Sequence, residues 1–329
     1  MTHRGVRFNG DASVDVVPIE VSPPSHGQVS VETAYSLISA GTEQLLYRGE
    51  VPEGDILETS IGALDATVSY PLHYGYAAVG HVTETGPDVS EKWIDRRVFA
   101  FQPHVSGFTT DLSNVHHIPQ GVDLPKATLL PTVETALNFL LDSAPRIGER
   151  VSVFGQGMVG LTTTTLLSQF PLEQLIAVDI DSYRCELARS FGADIALTPE
   201  EMEEHAPVDL AIEVSGNPSA LENALECTGF DGRVIVGSWY GSSGSGVDLS
   251  KGFHRDRISI ESSQVSTLDP ADSGRWSKQR RLEVAWEWVN RLDLEALLTH
   301  ELTIGEAETA YEHIDEGRDD VITVLFSYP

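Results

Sequence analysis

Apolar and polar positions alternate in two textures along this chain, and the change falls near residue 120. Before it, runs such as GQVSVETAYSLI (27–38), AAVGHVTETG (77–86) and RRVFAF (96–101) are punctuated by Gly, Pro and Asp. That pattern predicts short strands and tight turns, the texture of a small barrel. From residue 123 the period lengthens, and LPKATLLPTVETALNFLLDSA (124–144) predicts a helix. Strand–helix pairs follow: RVSVF into GMVGLTTTTLLSQF, LIAVDID into SYRCELARSFGA, and VDLAIEVSG into PSALENALECTG. Two more strands are expected at GRVIVGS (232–238) and RISIESS (257–263), an amphipathic helix at QRRLEVAWEWVNRL (279–292), and a closing strand at VITVLFSY (321–328). Short apolar runs alternating with helical segments imply βαβ units and a parallel sheet.

A length of 329 residues exceeds one ordinary core, so two domains are expected. The charge changes the picture further. Fifty acidic residues face 21 basic ones, giving a net charge of −29, and only Lys92, Lys126, Lys251 and Lys278 are lysines. Such a chain repels phosphates at long range, so no nucleic-acid partner is expected. The acidic residues are spread without a single run, which fits a halophilic protein whose carboxylates are hydrated and screened in a salty cytoplasm. The opening MTHRGVRFNG has no apolar signal region, and no apolar run approaches the roughly 18 residues of a membrane helix. A soluble, cytoplasmic protein without a membrane partner is the expectation. Cys185 and Cys227 stand 42 positions apart, too few and too far for a thiolate metal lobe or a disulfide framework.

The chemistry starts at RVSVFGQGMVG. Gly155, Gly157 and Gly160 form GxGxxG between a predicted strand and a predicted helix, with Met158 and Val159 in the first turn. Gly155 permits the tight turn, Gly157 admits a pyrophosphate, and Gly160 allows close helix–strand packing. Asp179 ends the next strand, where a carboxylate accepts the adenosine ribose hydroxyls and repels a 2′-phosphate. NAD(H) is therefore preferred, while Arg184 lies close enough to admit NADP(H). Ser215, Gly237 and Ser238 complete the expected cofactor set. In GSWYG (237–241), Tyr240 either touches cofactor or substrate or is a surface aromatic.

With these residues in place, the chain resembles the medium-chain dehydrogenase/reductase superfamily of zinc-type alcohol dehydrogenase-like proteins nearly end to end. SLISAGTEQLLYRGEVPEG (36–54) is similar to the segment that normally reads Cys-Gly-Thr-Asp, and YPLHYGYAAVGHV (70–82) to the one that carries Gly-His-Glu. LEALLTHELTIGEAETAYEHIDEG (294–317) resembles the closing segment of the family. SAGTE, a Gly-Tyr in place of Gly-His, and PTVETALN together resemble a branch containing bacteriochlorophyllide a dehydrogenase, an NAD-linked oxidoreductase acting on a large pigment. The resemblance implies an α/β chain: a GroES-like β-barrel catalytic domain (1–132), a doubly wound parallel-sheet Rossmann domain (133–281), and a C-terminal segment (282–329) returning to the catalytic domain. It also implies an active site in the cleft and a homodimer or homotetramer.

The departures matter as much. The resemblance puts the zinc-ligand positions on Ala40, Tyr76 and near Pro131, the adjacent acid on Ala77, and the proton-relaying imidazole on Leu45. No zinc is expected, although His73, His104, Glu43 and Glu134 leave an unorthodox metal site open; their spacings match no metal motif. Without a Lewis acid, hydroxyl donors must stabilise alkoxide charge, and one good donor contributes about 3 kcal/mol. Thr42 stands at the family's substrate-contacting hydroxyl and is the first candidate. Tyr76 is the second, unless it fills the space the metal left, with His73 or His104 as proton carriers. Glu43 could equally tie down its loop, and Glu134 could belong to the helix joining the domains. Three functions stay open: a zinc-independent NAD(H)-linked oxidoreductase on a bulky secondary alcohol or ketone, an enone or quinone reductase of the same fold, and a catalytically inactive NAD(H)-binding protein.

Overall fold

The chain opens with an antiparallel pair, β1 (His3–Phe8) against β2 (Val14–Ile19), which forms a two-stranded sheet of its own. The long strand β3 (Gln28–Leu37) buries Val29, Val31 and Thr33 in alternation, and α1 (Ala40–Tyr47) follows it directly. Next come β4 (Ala78–Thr85), β5 (Arg97–Ala100), β6 (Gly107–Asp111), β7 (Val115–His117) and the single-turn helix α2 (Leu124–Ala127). The computed structural model describes residues 2–56, 67–242, 246–318 and 320–329. The loop 47–70, expected to wall a pocket, falls in part outside the described residues, at 57–66.

The next helix, α3 (Leu130–Ser143), starts after a break at Thr128 and Leu129. The sequence pattern reads 124–144 as one helix. Pro131 explains the division, because a proline lacks the N–H that a continuous helix would need and suits a first turn. The parallel units then run β8 (Arg150–Phe154), α4 (Met158–Leu167), β9 (Gln174–Val178), α5 (Ser182–Ser190), β10 (Ile195–Leu197), β11 (Val208–Glu213), α6 (Pro218–Cys227), β12 (Thr228–Val236) and β13 (Ser259–Ser262). All five strand pairs are parallel, in the order β10-β9-β8-β11-β12-β13. This is a doubly wound sheet whose order reverses between β8 and β11, the place where ligands bind in such folds. Ile176, Val178, Ala211 and Val234 are buried on its strands against Leu221 and Ala224 of α6.

After α7 (Lys278–Arg291) the chain forms β14 (His300–Thr303), α8 (Ala307–Asp315) and β15 (Val324–Ser327). Strand β15 pairs parallel with β14 and antiparallel with residues 35–37 of β3, whose residues 28–32 take β6. The chain thus divides into two compact units, Met1–Pro131 with Val289–Pro329, and Thr132–Trp288. In the first unit the pairing runs β14-β15-β3-β4-β5-β7 as an open path, so the expected barrel is not seen among the described residues. The reason lies in β3: two short partners divide one of its edges, while β1 meets the segments around Leu72 and Val105 through isolated bridges at Phe8–Leu72 and Gly5–Val105.

Helices α3 and α7 are held together by a buried arginine. Arg281 is 2% exposed; its Nε donates to Glu134 Oε1 at 3.1 Å, and its other nitrogens donate to Asn138 Oδ1 and to the carbonyls of Val265 and Thr267. Desolvation raises the Glu134 pKa despite the neighbouring guanidinium. Removing the guanidinium leaves a buried carboxylate without its hydrogen-bonded partner. Arg281→Leu should therefore cost about 3–5 kcal/mol of stability, read from urea unfolding; a loss below about 1 kcal/mol would contradict this account.

Candidate active site

The glycine loop sits where β8 meets α4. Gly155 has φ +90°, and a Cβ on it would lie 2.5 Å from Ser215 Cα; a Cβ on Gly160 would lie 1.8 Å from the Gly155 carbonyl. These two glycines are required by backbone contact between the turn, its helix and the loop after β11. Gly157, the N-cap of α4, is different: a Cβ there would meet only Arg184 Nη1, at 3.8 Å. That open space fronts the amino end of α4, whose first turn holds Met158 and Val159, and it suits a phosphate. Met158 Sδ accepts from Thr132 Oγ1 at 3.6 Å.

Asp179 is buried just past β9. Its Oδ2 accepts from the Gln156 amide at 2.5 Å and its Oδ1 from the Asp181 amide at 2.9 Å. Both oxygens are thereby fixed, and each keeps a lone pair for a diol. Arg184 on α5 lies 3.7 Å from Asp181, which itself caps that helix through the Tyr183 amide. Across the switch point, the Ser215 amide and hydroxyl donate to Glu213 Oε1 at 2.7 and 2.6 Å, and the Gly216 amide donates to Ser238 Oγ at 2.9 Å. The Gly237 amide donates to the Glu213 carbonyl at 2.9 Å. Ser215, Gly237 and Ser238 thus gather at the carboxyl ends of β11 and β12. Tyr240 donates its hydroxyl to Glu213 Oε2 at 2.5 Å, and burial with that carboxylate pushes the phenol pKa well up. It is a tether for its loop. Glu213, fully buried, escaped the sequence reading; its one signal is a carboxylate ending an apolar strand. Together these residues fit a dinucleotide: an open helix end, a fixed carboxylate and a neighbouring guanidinium.

The first unit holds the second group of candidates. Glu43, in the first turn of α1, is fully buried. Its Oε1 accepts from the Ser39 amide at 2.8 Å, and its Oε2 accepts from Tyr311 Oη at 2.5 Å and meets His104 Nε2 at 3.0 Å. The other ring nitrogen of His104 meets Ser36 Oγ at 2.6 Å, and that hydroxyl meets Tyr328 Oη at 2.7 Å. Gly75 makes room for this ring, since a Cβ on it would lie 2.8 Å from the imidazole. Beside the cluster, the Tyr76 hydroxyl donates to Ser39 Oγ and contacts the Thr42 hydroxyl. Desolvation, then the Glu43 charge, pushes the Tyr76 pKa up to about 12 against the lowering effect of both hydroxyls. Thr42, Tyr76, Glu43 and His104 are therefore brought together, whereas His73 donates from Nδ1 to the Val6 carbonyl at 2.6 Å. Glu134 belongs to the Arg281 network of the other unit. Ser39 was not among the sequence candidates.

Comparison with known proteins fits this geometry. Residues 159–281 match a family described as zinc-binding dehydrogenase. D-guloside 3-dehydrogenase of Escherichia coli K12 is 25% identical over 263 residues, 75% of each chain. Two solved structures align over all of this chain and all of their own: a short chain alcohol dehydrogenase (rspB) from E. coli CFT073 complexed with NADH (TM-score 0.80, 19% identity), and 2R,3R-butanediol dehydrogenase from Bacillus subtilis (TM-score 0.81, 16% identity). Residues 159–281 thus carry a domain of the zinc-binding dehydrogenase family, and the rest of the chain is similar to medium-chain, zinc-type alcohol dehydrogenase-like proteins. The relatives it matches are named as dehydrogenases, and the chain is an oxidoreductase of that kind.

The zinc for which the matching family is named is a poor fit to the residues of the first unit. The family match lies within the glycine-loop unit and says nothing of the ligand positions. The positions that the resemblance assigns to the ligands carry Ala40, Tyr76 and, at or near the third, Pro131, with Ala77 in place of the adjacent acid. Both nitrogens of His104 are engaged, and among the described residues no three His, Cys, Asp or Glu side chains are grouped to hold an ion. What stands there is a buried Glu43–His104 pair with hydroxyls around it. Cutting one member strands the other, so His104→Ala should lower stability by about 3–5 kcal/mol in urea unfolding; native-like unfolding would mean Tyr311 and the Ser39 amide satisfy Glu43 alone.

Proposed function

We propose that this chain is a zinc-independent, NAD(H)-linked oxidoreductase that interconverts a bulky secondary alcohol and its ketone. The observation that carries the reading is the group of three hydroxyls, Thr42, Tyr76 and Ser39, standing at the segments to which the resemblance assigns metal ligands. Two similar proteins, D-guloside 3-dehydrogenase and 2R,3R-butanediol dehydrogenase, are named for compounds that carry secondary hydroxyls, which supports the substrate class.

Bound nicotinamide supplies or accepts the hydride. The chain's own residues do the rest. Gly157 and the amino end of α4 receive the pyrophosphate, and the fixed Asp179 carboxylate takes the ribose diol. A 2′-phosphate would meet that carboxylate's charge, so NAD(H) is preferred, with Arg184 softening the discrimination. The hydroxyl group donates hydrogen bonds to the substrate oxygen as negative charge develops, and its partial burial strengthens them. The Glu43–His104 pair holds the turn that carries Ser39 and Thr42.

The test is a substrate panel: 1-phenylethanol, cyclohexanol, D-sorbitol and methyl α-D-glucopyranoside with NAD⁺, and acetophenone and 2-cyclohexenone with NADH. Turnover of a saturated alcohol–ketone pair by metal-free protein supports the reading. Reduction of 2-cyclohexenone alone would move it to an enone reductase, and no turnover beside tight NADH binding would leave an inactive binding protein. Asp179→Ala should weaken NADH at least tenfold while NADPH loses much less, measured by fluorescence titration; equal losses would refute the ribose assignment.

A further inference from the structure

Ser39 is the N-cap of α1, yet its side chain caps nothing. A serine at an N-cap ordinarily accepts from the N2 or N3 amide and stabilises the helix by about 1 kcal/mol. Here Glu43 accepts from the Ser39 amide, while the serine hydroxyl makes no cap bond and is open to another partner. That hydroxyl turns to Tyr76, which donates into Ser39 Oγ. A phenol that donates to Ser39 has only its oxygen lone pairs left for a further donor, and Thr42 is the hydroxyl beside it. The Ser39 proton is the free end, without an acceptor among the described residues. Ordered hydroxyl chains polarise one another, which strengthens the terminal donor. Ser39 is also only 8% exposed, so bulk water competes weakly for it, while its neighbours Ala40 and Gly41 leave little side chain in the way of a large substrate.

We propose that Ser39 is the catalytic residue that hydrogen-bonds the substrate oxygen and delivers its proton, with Tyr76 and Thr42 behind it as the relay. This rests on the reading of the chain as an alcohol–ketone oxidoreductase. In the reducing direction, hydride from bound nicotinamide forms the new C–H bond while the carbonyl π pair moves onto oxygen. The Ser39 O–H bond breaks as the alkoxide O–H bond forms. The Tyr76 proton passes to Ser39 Oγ, the Thr42 proton passes to Tyr76, and water, reaching the partly exposed Thr42, returns a proton to Thr42 and leaves hydroxide to the buffer. Alcohol oxidation runs the same transfers backwards.

The experiment compares Ser39→Ala and Ser39→Thr with native protein, using the alcohol–ketone pair turned over fastest in the panel above. Two quantities are read: kcat, and the infrared C=O stretch of the carbonyl-¹³C-labelled ketone bound to the protein–NAD⁺ complex, which does not react. The expected result for Ser39→Ala is a fall in kcat of about 100-fold, an unchanged NADH Kd, and loss of the downward shift of the C=O stretch. Ser39→Thr keeps the hydroxyl and should recover the shift and bring kcat to within about tenfold of native. If Ser39→Ala unfolds, Ser39→Gly, which also suits an N-cap, is read in the same way. A native-like kcat with the shift intact in the hydroxyl-free variant would overturn the role of Ser39 and leave the oxidoreductase reading standing. Absence of native turnover on every pair would remove that reading and this one with it.

Discussion

The first unit depends on one buried carboxylate. Glu43 has no contact with solvent, and three groups converge on its carboxyl oxygens: the Ser39 amide, the Tyr311 hydroxyl and the His104 ring. Those partners come from the start of α1, from α8 and from the segment between β5 and β6, and so three stretches of chain are registered at one point. Tyr311 in turn stacks on Tyr47 and meets Phe8 edge-on, which couples the polar cluster to the apolar core beneath it. The hydroxyls of Ser39 and Thr42 stand on the turn that this arrangement holds.

The second unit applies a similar device at the switch point of its sheet. Asp179 and Glu213 each end a central strand, and each spends carboxylate oxygens on amides of the adjoining turn. Strand ends that would otherwise fray are drawn into fixed loops, and the glycine turn lies against the Ser215 loop with no space for a side chain. The price is two carboxylates held in low-dielectric surroundings, tolerable because each is hydrogen-bonded by donors that cannot move away.

Much of the second unit was legible in the chain. The strands predicted at RVSVF and LIAVDID and the helix at SYRCELARSFGA lie within a few residues of β8, β9 and α5, because apolar period and glycine punctuation are local signals. The glycine fingerprint and Asp179 were readable for the same reason. The first unit was read less well. Its expected barrel depends on which strand edges meet, and β3 pairs with β15 across nearly the whole chain. Ser39, Glu213 and Arg281 went unrecognised since their meaning lies in partners such as Tyr76, Tyr240 and Glu134, up to 147 positions away. The placing of Glu43 beside His104 could be entertained from sequence, but Tyr311, 268 positions on, could not.

The strand order carries a consequence for biosynthesis. Residues 132–288 contain every strand of their own sheet, so a ribosome delivers that unit whole before the remainder appears. Residues 2–131 emerge earlier yet must wait, for β15 is made last and covers the edge of β3 at residues 35–37. Until then the nascent chain carries an uncovered strand edge, and Glu43 lacks Tyr311. The half of the protein that is synthesised first is thus the half that matures last.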